Sequence, residues 1–155
     1  MPSRRDEIAM TAEEIRGYLR SQPRVIVTSN GPGGYPHPVP LNFAVDDRDR
    51  VLILTFGKSQ KVRNLERDPR AALLVESGLA YHELKSVMIY ATAEILEPGP
   101  VFDAAKAAFA DKVQVGVLSS EARAQADALM AKRVIIRFTP QRIISWDHAK
   151  LYGRY

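Results

Sequence analysis

The chain has 155 residues, of which 46% are hydrophobic, and a net charge of +4. One domain over residues 1–155 is expected, because this length buries a sizeable core without covalent staples. With no cysteine in the sequence, disulfide frameworks, thiolate nucleophiles and cysteine-based metal sites are excluded. The N-terminal segment lacks an apolar signal region, and no apolar run is long enough to cross a bilayer. We therefore expect a cytoplasmic protein with no membrane partner.

The first half of the chain predicts one helix followed by strands. Thr11 and Glu14 have the T-x-x-E spacing of a capping box, and Ile15, Tyr18 and Leu19 then fall on one helical face. β-branched runs between turn-forming residues predict the strands. A polar turn predicts that the last two strands pair as an antiparallel hairpin. The expected elements are a helix from residue 11 to about residue 23 and strands over residues 24–29, 35–46 and 50–56.

Three prolines, Pro36, Pro38 and Pro40, lie at alternate positions of the second strand. N–H groups two residues apart in a strand point to the same side, so all the missing donors fall along one edge. One interpretation is an edge strand that is protected from mispairing. The other is an edge that faces a groove instead of a neighbouring strand. The pattern alone favours the first.

The second half of the chain alternates strands and helices. Ser59 is expected to cap a short helix that ends before Asp68 and Pro69. A long strand with apolar residues at every second position follows, then two helices. Pro140 and Gln141 predict the turn of a final hairpin. The expected elements are helices over residues 59–67, 101–112 and 119–132 and strands over residues 70–76, 83–97, 133–139 and 142–146.

These elements amount to six or seven strands, mostly linked as hairpins, with short helices between them. The strand–helix–strand repeat of a parallel sheet is absent. The sequence therefore predicts a mainly β fold, an antiparallel β-barrel with flanking helices.

Residues 56–69, FGKSQKVRNLERDP, contain Gly-Lys-Ser between a strand and a helix. A phosphate-binding P-loop has the spacing G-x-x-x-x-G-K-[ST]. Its first glycine would fall at Leu52, which lies inside a predicted strand. The loop is also too short to surround a triphosphate, so the P-loop interpretation fails.

The same segment still has features that suit an anion. A helix begins there, and its first turn presents unpaired N–H groups. Lys58, Lys61 and Arg63 gather at this end, although cations are unfavourable there for the helix itself. Two interpretations stay open: an anion bound among these cations, or a solvated basic helix paired with Glu66 and Asp68.

Residues 58–78, KSQKVRNLERDPRAALLVESG, resemble the phosphate-binding segment of the pyridoxamine 5′-phosphate oxidase-like split-barrel flavoproteins. Residues 34–37, GYPH, resemble that family's hairpin turn, and residues 91–94, ATAE, resemble one of its strands. The resemblance extends over about residues 24–146. It implies a six- to seven-stranded antiparallel split barrel that forms a homodimer, with its cofactor sites between the subunits.

The resemblance also implies which residues bind the cofactor. Lys61 matches the family's phosphate-binding lysine, and Ser59 matches the serine two positions before it. Trp146 matches a C-terminal aromatic residue that closes the site of the partner subunit, although core filling explains a lone tryptophan equally well. No catalytic residue is assigned, and three scattered histidines give no metal site. The implied set is Val39, Pro40, Leu41, Asn42, Leu54, Thr55, Lys58, Ser59, Gln60, Lys61 and Trp146.

Two departures from the family pattern bear on the function. No arginine stands between Gly31 and Asp47, where FMN-binding oxidases carry one, and His148 lacks the arginine of the R-x-H-like substrate pair. The resemblance thus implies an oxidoreductase that binds F420 or FMN and exchanges a hydride with a small conjugated substrate. It is not expected to be a true pyridoxamine phosphate oxidase. The missing arginine and the basic charge balance favour the deazaflavin F420.

Two alternatives remain from the sequence. A non-catalytic haem- or flavin-binding protein would share the fold. A small barrel that binds nucleic acid would need aromatic platforms on adjacent strands, whereas aromatic residues make up only 8% of the chain, so no nucleic-acid partner is expected.

Overall fold

The computed structural model describes residues 3–110, 112 and 119–154. These residues form a seven-stranded antiparallel sheet in the order β2-β1-β5-β6-β7-β4-β3, flanked by five helices. The strands are β1 (Arg24–Asn30), β2 (Pro36–Asn42), β3 (Ala44–Val45), β4 (Val51–Phe56), β5 (Arg70–Ser77), β6 (Lys85–Leu96) and β7 (Arg133–Asp147). The helices are α1 (Arg4–Ile8), α2 (Ala12–Ser21), α3 (Gln60–Arg67), α4 (Pro100–Ala110) and α5 (Ser120–Met130).

The sheet curls into a half-barrel. β2 and β4 lie far apart in the strand order, yet they contact each other in space. Alternate residues of each strand point inward, and Val27, Leu73 and Ile89 are examples with at most 1% of their surface exposed. α3 closes one end of the half-barrel by burying Val62 and Leu65 against the same core. Burial of such side chains contributes about 1.5–3 kcal/mol each.

A second, smaller core lies on the other face of β4 and β7. Leu52 and Ile135 point away from the main core and are covered by Phe102 of α4, together with Leu96. Ala105 and Phe109 pack on the same cluster, as their helical spacing with Phe102 predicts. α4 is therefore fixed to the outside of the sheet.

The fold class and most of the elements are confirmed. The sheet has seven antiparallel strands, within the predicted six to seven, and the fold is mainly β. Thr11 and Glu14 form the predicted capping box of α2. Ser119 accepts a hydrogen bond from the Ala122 N–H and so caps α5. α4 covers most of the expected residues 101–112, of which residue 111 lies outside the described residues.

The prediction of a final hairpin about Pro140 and Gln141 is wrong. Residues 133–147 form one continuous strand, β7, which pairs with β6 from Ile135 to Asp147. Ala91 pairs with Pro140 and Tyr90 pairs with Arg142, so Gln141 is the extra residue of a β-bulge. A bulge accommodates a proline and bends the strand, which lets β7 follow the curl of the sheet instead of turning back.

The predicted strand over residues 35–46 divides into two strands with different partners. β2 pairs only with β1, among the strands that the structure describes, and the two-residue β3 alone forms the expected pairing with β4. The division falls at Phe43, whose side chain is 1% exposed in the core. β2 is an edge strand, as the prolines predicted.

A short N-terminal helix, α1, was not predicted. Its Ser3 cap accepts from the Asp6 N–H, and the Asp6 carboxylate accepts from the Ser3 N–H. Aspartate stands where the capping-box pattern has Glu or Gln. Within the described ranges, no helix combines the length and hydropathy needed to cross a lipid bilayer.

Candidate functional site

β2 and β4 lie next to each other in space but do not pair as strands, and we call the space between them the cleft. β3 pairs with β4 through Ala44–Leu52 and Val45–Val51 only. Beyond Leu52 that edge of β4 has no strand partner among the described residues, although β2 lies in contact with β4. The proline edge of β2 cannot donate hydrogen bonds across this gap. The prolines therefore protect an edge, as the first interpretation predicts, and the groove of the second interpretation stays a prediction.

Lys61 lies in α3 and contacts β4. Its Nζ donates a hydrogen bond of 2.9 Å to Oγ1 of Thr55, the residue before the last of β4. Thr55 is 5% exposed and Lys61 is half-buried. Burial lowers the pKa of the Lys61 ammonium, because the charged form loses hydration. A negative group beside this ammonium would offset that loss.

Ser59 occupies the N-cap position of α3 but does not cap the helix with its side chain. Its Oγ is buried and has no hydrogen-bond partner within the described part of the chain. Buried hydroxyls nearly always have a partner. An acceptor such as a phosphate oxygen, placed at the first turn of α3, would satisfy this hydroxyl and the free N–H groups together.

A hydrogen-bonded network behind these residues holds α3 in place. The Gln60 side-chain amide donates to Asn64 Oδ1 at 2.8 Å, and the Asn64 amide donates to Ser29 Oγ at 3.0 Å. Asn64 and Ser29 are 0% and 1% exposed. Sequence reasoning missed both residues, although Gln60 and Asn64 have the i,i+4 spacing of helix neighbours. Ser29 was also detectable as the polar residue at an inward position of β1.

The cations around α3 are not neutralised by the carboxylates expected to pair with them. Asp68 binds Arg70 and Asn30 instead, and Glu66 has no ion pair among the described residues. Lys58, Lys61 and Arg63 likewise form no ion pair within that part of the chain. The unpaired positive charge favours a bound anion over the self-neutralised basic helix.

Two more cations extend this basic surface. The Arg133 guanidinium lies over the Phe56 ring, 4.6 Å from its centroid. Lys132 is exposed next to it, and its carbonyl accepts from the Gly57 N–H at 3.0 Å. Neither residue has an ion-pair partner among the residues described. Together with Lys58, Lys61 and Arg63 they form what we call the basic rim.

The strand residues of the predicted site fall on alternating faces. Val39 and Leu41 point inward and pack against the main core, whereas Pro40 and Asn42 are exposed. The Leu54 side chain packs on the cluster below α4, away from the cleft side that Thr55 faces. Leu54 can therefore offer the cleft only its backbone. Lys58 and Gln60 are exposed at the start of α3.

Trp146 is not brought to these residues within one chain. Thr55 pairs with Val134 near the start of β7, whereas Trp146 pairs with Ser86 near the end of the same strand. The half-buried indole lines a separate cavity below α1. A role for Trp146 in the cleft requires a second copy of the chain.

Comparison with known proteins places this site in context. The family model described as Pyridoxamine 5′-phosphate oxidase matches residues 11–147. A 5a,11a-dehydrotetracycline/5a,11a-dehydrooxytetracycline reductase of Streptomyces rimosus is 32% identical over 94 residues, which are 57% of this chain and 66% of that protein. The chain thus spans just under two thirds of that curated relative.

Solved structures share the fold. The conserved hypothetical protein Rv2991 from Mycobacterium tuberculosis superimposes with a TM-score of 0.84 at 33% identity, over 97% of this chain and 93% of that one. An FAD-binding protein from Mycobacterium smegmatis gives a TM-score of 0.64 at 17% identity, over 88% and 96% of the two chains. The matched region includes β2, β4 and α3, and this chain belongs to the pyridoxamine 5′-phosphate oxidase family.

Proposed function

We propose that this chain is an oxidoreductase that binds F420 or FMN by its phosphate at the start of α3 and exchanges a hydride with a small conjugated substrate. The buried Ser59 hydroxyl without a partner carries the proposal. It lies at the N-cap of α3, two residues before the lysine that reaches Thr55. A phosphate group fits this set, because it accepts from a hydroxyl, an ammonium and backbone N–H groups at once.

The residues of the cleft bind and orient. Lys61 and Ser59 hold the phosphate, and Thr55 keeps the ammonium directed toward it. The Gln60–Asn64–Ser29 network fixes α3, so the phosphate position is set relative to β4. A bound flavin or deazaflavin would supply the hydride-transfer chemistry, and the protein contributes placement and electrostatics.

The basic rim favours F420 over FMN. Lys58 and Arg63 flank Lys61 in sequence, Lys132 and Arg133 lie at the adjacent start of β7, and none of the four has an ion pair within the described residues. One phosphate does not require so many cations, whereas the glutamate tail of F420 adds carboxylates beyond it. The absence of an arginine in β2 points the same way.

A homodimer would complete the site. The outer face of β5, β6 and β7 carries an apolar cross-strand row of Leu74, Met88 and Ile144. Tyr90 lies next to this row and is 43% exposed. Association through this face would bury the row and bring the Trp146 of one subunit toward the cleft of the other. Thr55 pairs with the start of β7, whereas Trp146 lies near the end of that strand. This separation within one chain supports a site that is shared between subunits.

The curated relative supports a substrate class. The Streptomyces rimosus protein is a reductase that acts on dehydrotetracyclines. The residues of a pyridoxamine phosphate oxidase substrate site are missing here, since Trp146 stands where the R-x-H-like pair would place arginine before His148. A conjugated substrate other than pyridoxamine phosphate is therefore proposed.

Titration with each cofactor tests the proposal. The absorption spectrum of the purified protein is recorded, and the protein is then titrated with F420 and with FMN under identical conditions. We expect tighter binding of F420, with saturation at one cofactor per chain. Binding of neither cofactor, or a haem spectrum with no flavin binding, would overturn the assignment.

A further inference from the structure

A second cavity lies at the end of β7 that is remote from the cleft. It has a volume of about 500 Å³ and apolar walls that include Ile8 of α1, Met88, Ile144 and Trp146. A cavity of this volume suits a small organic molecule. Its walls continue into the outer sheet face proposed above as the dimer interface, since Met88 and Ile144 belong to both.

Positive charge that forms no ion pair with the described residues lines this cavity. Arg4 and Arg5 of α1 contribute to its wall, and no Asp or Glu does so among the described residues. Neither arginine forms a hydrogen bond or ion pair with any described residue. The neighbouring Asp6 carboxylate is occupied by Ser3, from which it accepts two hydrogen bonds.

The other large cavity, of about 700 Å³, provides a contrast. Its arginines are already paired with carboxylates. The pairs are Arg20 with Asp49 at 2.9 Å, Arg50 with Asp46 at 2.8 Å and Arg137 with Glu94 at 2.6 Å. Unpaired arginines are thus a property of the smaller cavity, whereas the cation without an ion pair among the described residues in the larger cavity is the buried amine of Lys112.

Aromatic side chains form the remaining wall. The rings of Tyr81 and His148 lie 4.5 Å apart at an interplanar angle of 55°. His148 Nδ1 lies 2.9 Å from the Tyr81 carbonyl oxygen. Because a carbonyl only accepts, Nδ1 carries the proton, which fixes the ring and leaves Nε2 free of partners within the described residues. Flat aromatic surfaces suit stacking with a planar ligand.

We propose that this cavity binds a planar conjugated molecule with an ionised acid or enol group, held by Arg4 and Arg5 at the charge and by Trp146 at the ring system. This inference rests on the proposed function in one respect: it assigns the bound molecule as the substrate, which the proposed homodimer would bring, between the subunits, to the cofactor held by the partner's cleft. Guanidinium groups suit such anions because they donate two parallel hydrogen bonds. α1, rather than the missing R-x-H-like pair, then recognises the charge.

A pair of dyes separates charge recognition from apolar binding. The anionic probe is 8-anilino-1-naphthalenesulfonate, and the uncharged probe is N-phenyl-1-naphthylamine, which has the same ring system without the sulfonate. Trp146 is the one tryptophan of the chain, so quenching of its fluorescence reports binding in this cavity. The intact protein is titrated with each dye, both with and without added cofactor.

The variants are Arg4→Gln combined with Arg5→Gln, and Arg48→Gln as the matched control. α1 buries no residue, so the double variant should fold normally, which far-UV circular dichroism checks. Arg48 is exposed in the β3–β4 turn, outside the walls of this cavity. We expect the double variant to bind the sulfonate about tenfold more weakly, with unchanged binding of the uncharged dye and no effect of the control.

The proposal would be overturned if the double variant weakened the binding of both dyes equally or changed the binding of neither. It would also be overturned if the sulfonate dye bound the parent protein without quenching the fluorescence of Trp146. These outcomes are distinguishable from a failure of the proposed function. Normal F420 or FMN binding with no charge selectivity would refute this cavity alone. Charge selectivity without cofactor binding would support the anion pocket and refute its assignment as a substrate site.

Discussion

The buried network behind α3 gives a quantitative test of how the site is supported. Asn64→Ala removes two hydrogen bonds and leaves Ser29 Oγ unpaired at a position that is 1% exposed. Ser29→Ala in turn leaves the Asn64 amide, at 0% exposure, without its acceptor. Because an unsatisfied buried polar group costs about 1–3 kcal/mol, we expect Asn64→Ala to lower the free energy of unfolding by about 2–3 kcal/mol. Ser29→Ala should lower it by about 1–2 kcal/mol.

The double variant makes this test specific. In the double variant both the Asn64 amide and the Ser29 hydroxyl are gone, so neither is left without its partner. Its free energy of unfolding should therefore fall by about 1 kcal/mol less than the sum of the two single losses. Urea unfolding at a fixed protomer concentration, with a common m-value, measures all four free energies. Glu66→Ala is the control, and since Glu66 is exposed on the same helix and has no ion pair among the described residues it should change the stability by at most about 0.5 kcal/mol. Additive single variants would refute the coupling between α3 and β1.

Three other outcomes follow from the structure. Gly78→Ala should lower the free energy of unfolding by about 2–3 kcal/mol, because Gly78 has a φ of +104° and a Cβ would lie 2.3 Å from the Glu83 carbonyl oxygen; a urea midpoint within error of the parent would contradict this. Lys112→Met should raise stability at pH 7 by on the order of 1 kcal/mol, since burial lowers the pKa of the Lys112 amine from 10.5 to about 8. The folded state disfavours that charge, so the gain should shrink as pH rises from about 8 to 10.5, and a constant gain across thermal melts at several pH values would argue against it. Cofactor affinity should fall as pH rises through the lowered pKa of Lys61, because only the ammonium form pairs with phosphate; calorimetric affinity that is flat into the alkaline range would count against Lys61 as the ligand.

Local chemistry made much of the fold predictable. The capping box of α2, the alternating strands and the proline edge depend on neighbouring residues, and the elements they predicted are present. Residues 140–141 show where such reasoning fails. Proline followed by a polar residue is typical of a turn, but pairing with the 12-residue β6 keeps the chain extended through a bulge. The pairing of β6 with β7 depends on the tertiary structure and leaves no signal in the local sequence.

The candidate site was predictable in part for the same reason. Ser59 and Lys61 belong to one continuous segment, whose resemblance to a family identified them. The bond from Asn64 to Ser29 connects residues far apart in sequence and depends on where α3 lies on the sheet. Leu54 shows a further limit, because a strand position does not reveal which face receives the side chain until the curl of the sheet is known.

The central claim is that Lys61 and Ser59 bind the phosphate of a flavin-type cofactor, and calorimetric titration of F420 into three variants tests it most directly. Lys61→Met should weaken binding by about 10- to 100-fold, since it removes a charge-assisted hydrogen bond. Ser59→Ala should weaken binding by about fivefold, and Lys106→Met, an exposed control on α4 outside the basic rim, should leave the affinity within about threefold. Affinities that are the same for the Lys61 variant and the parent protein would contradict the account.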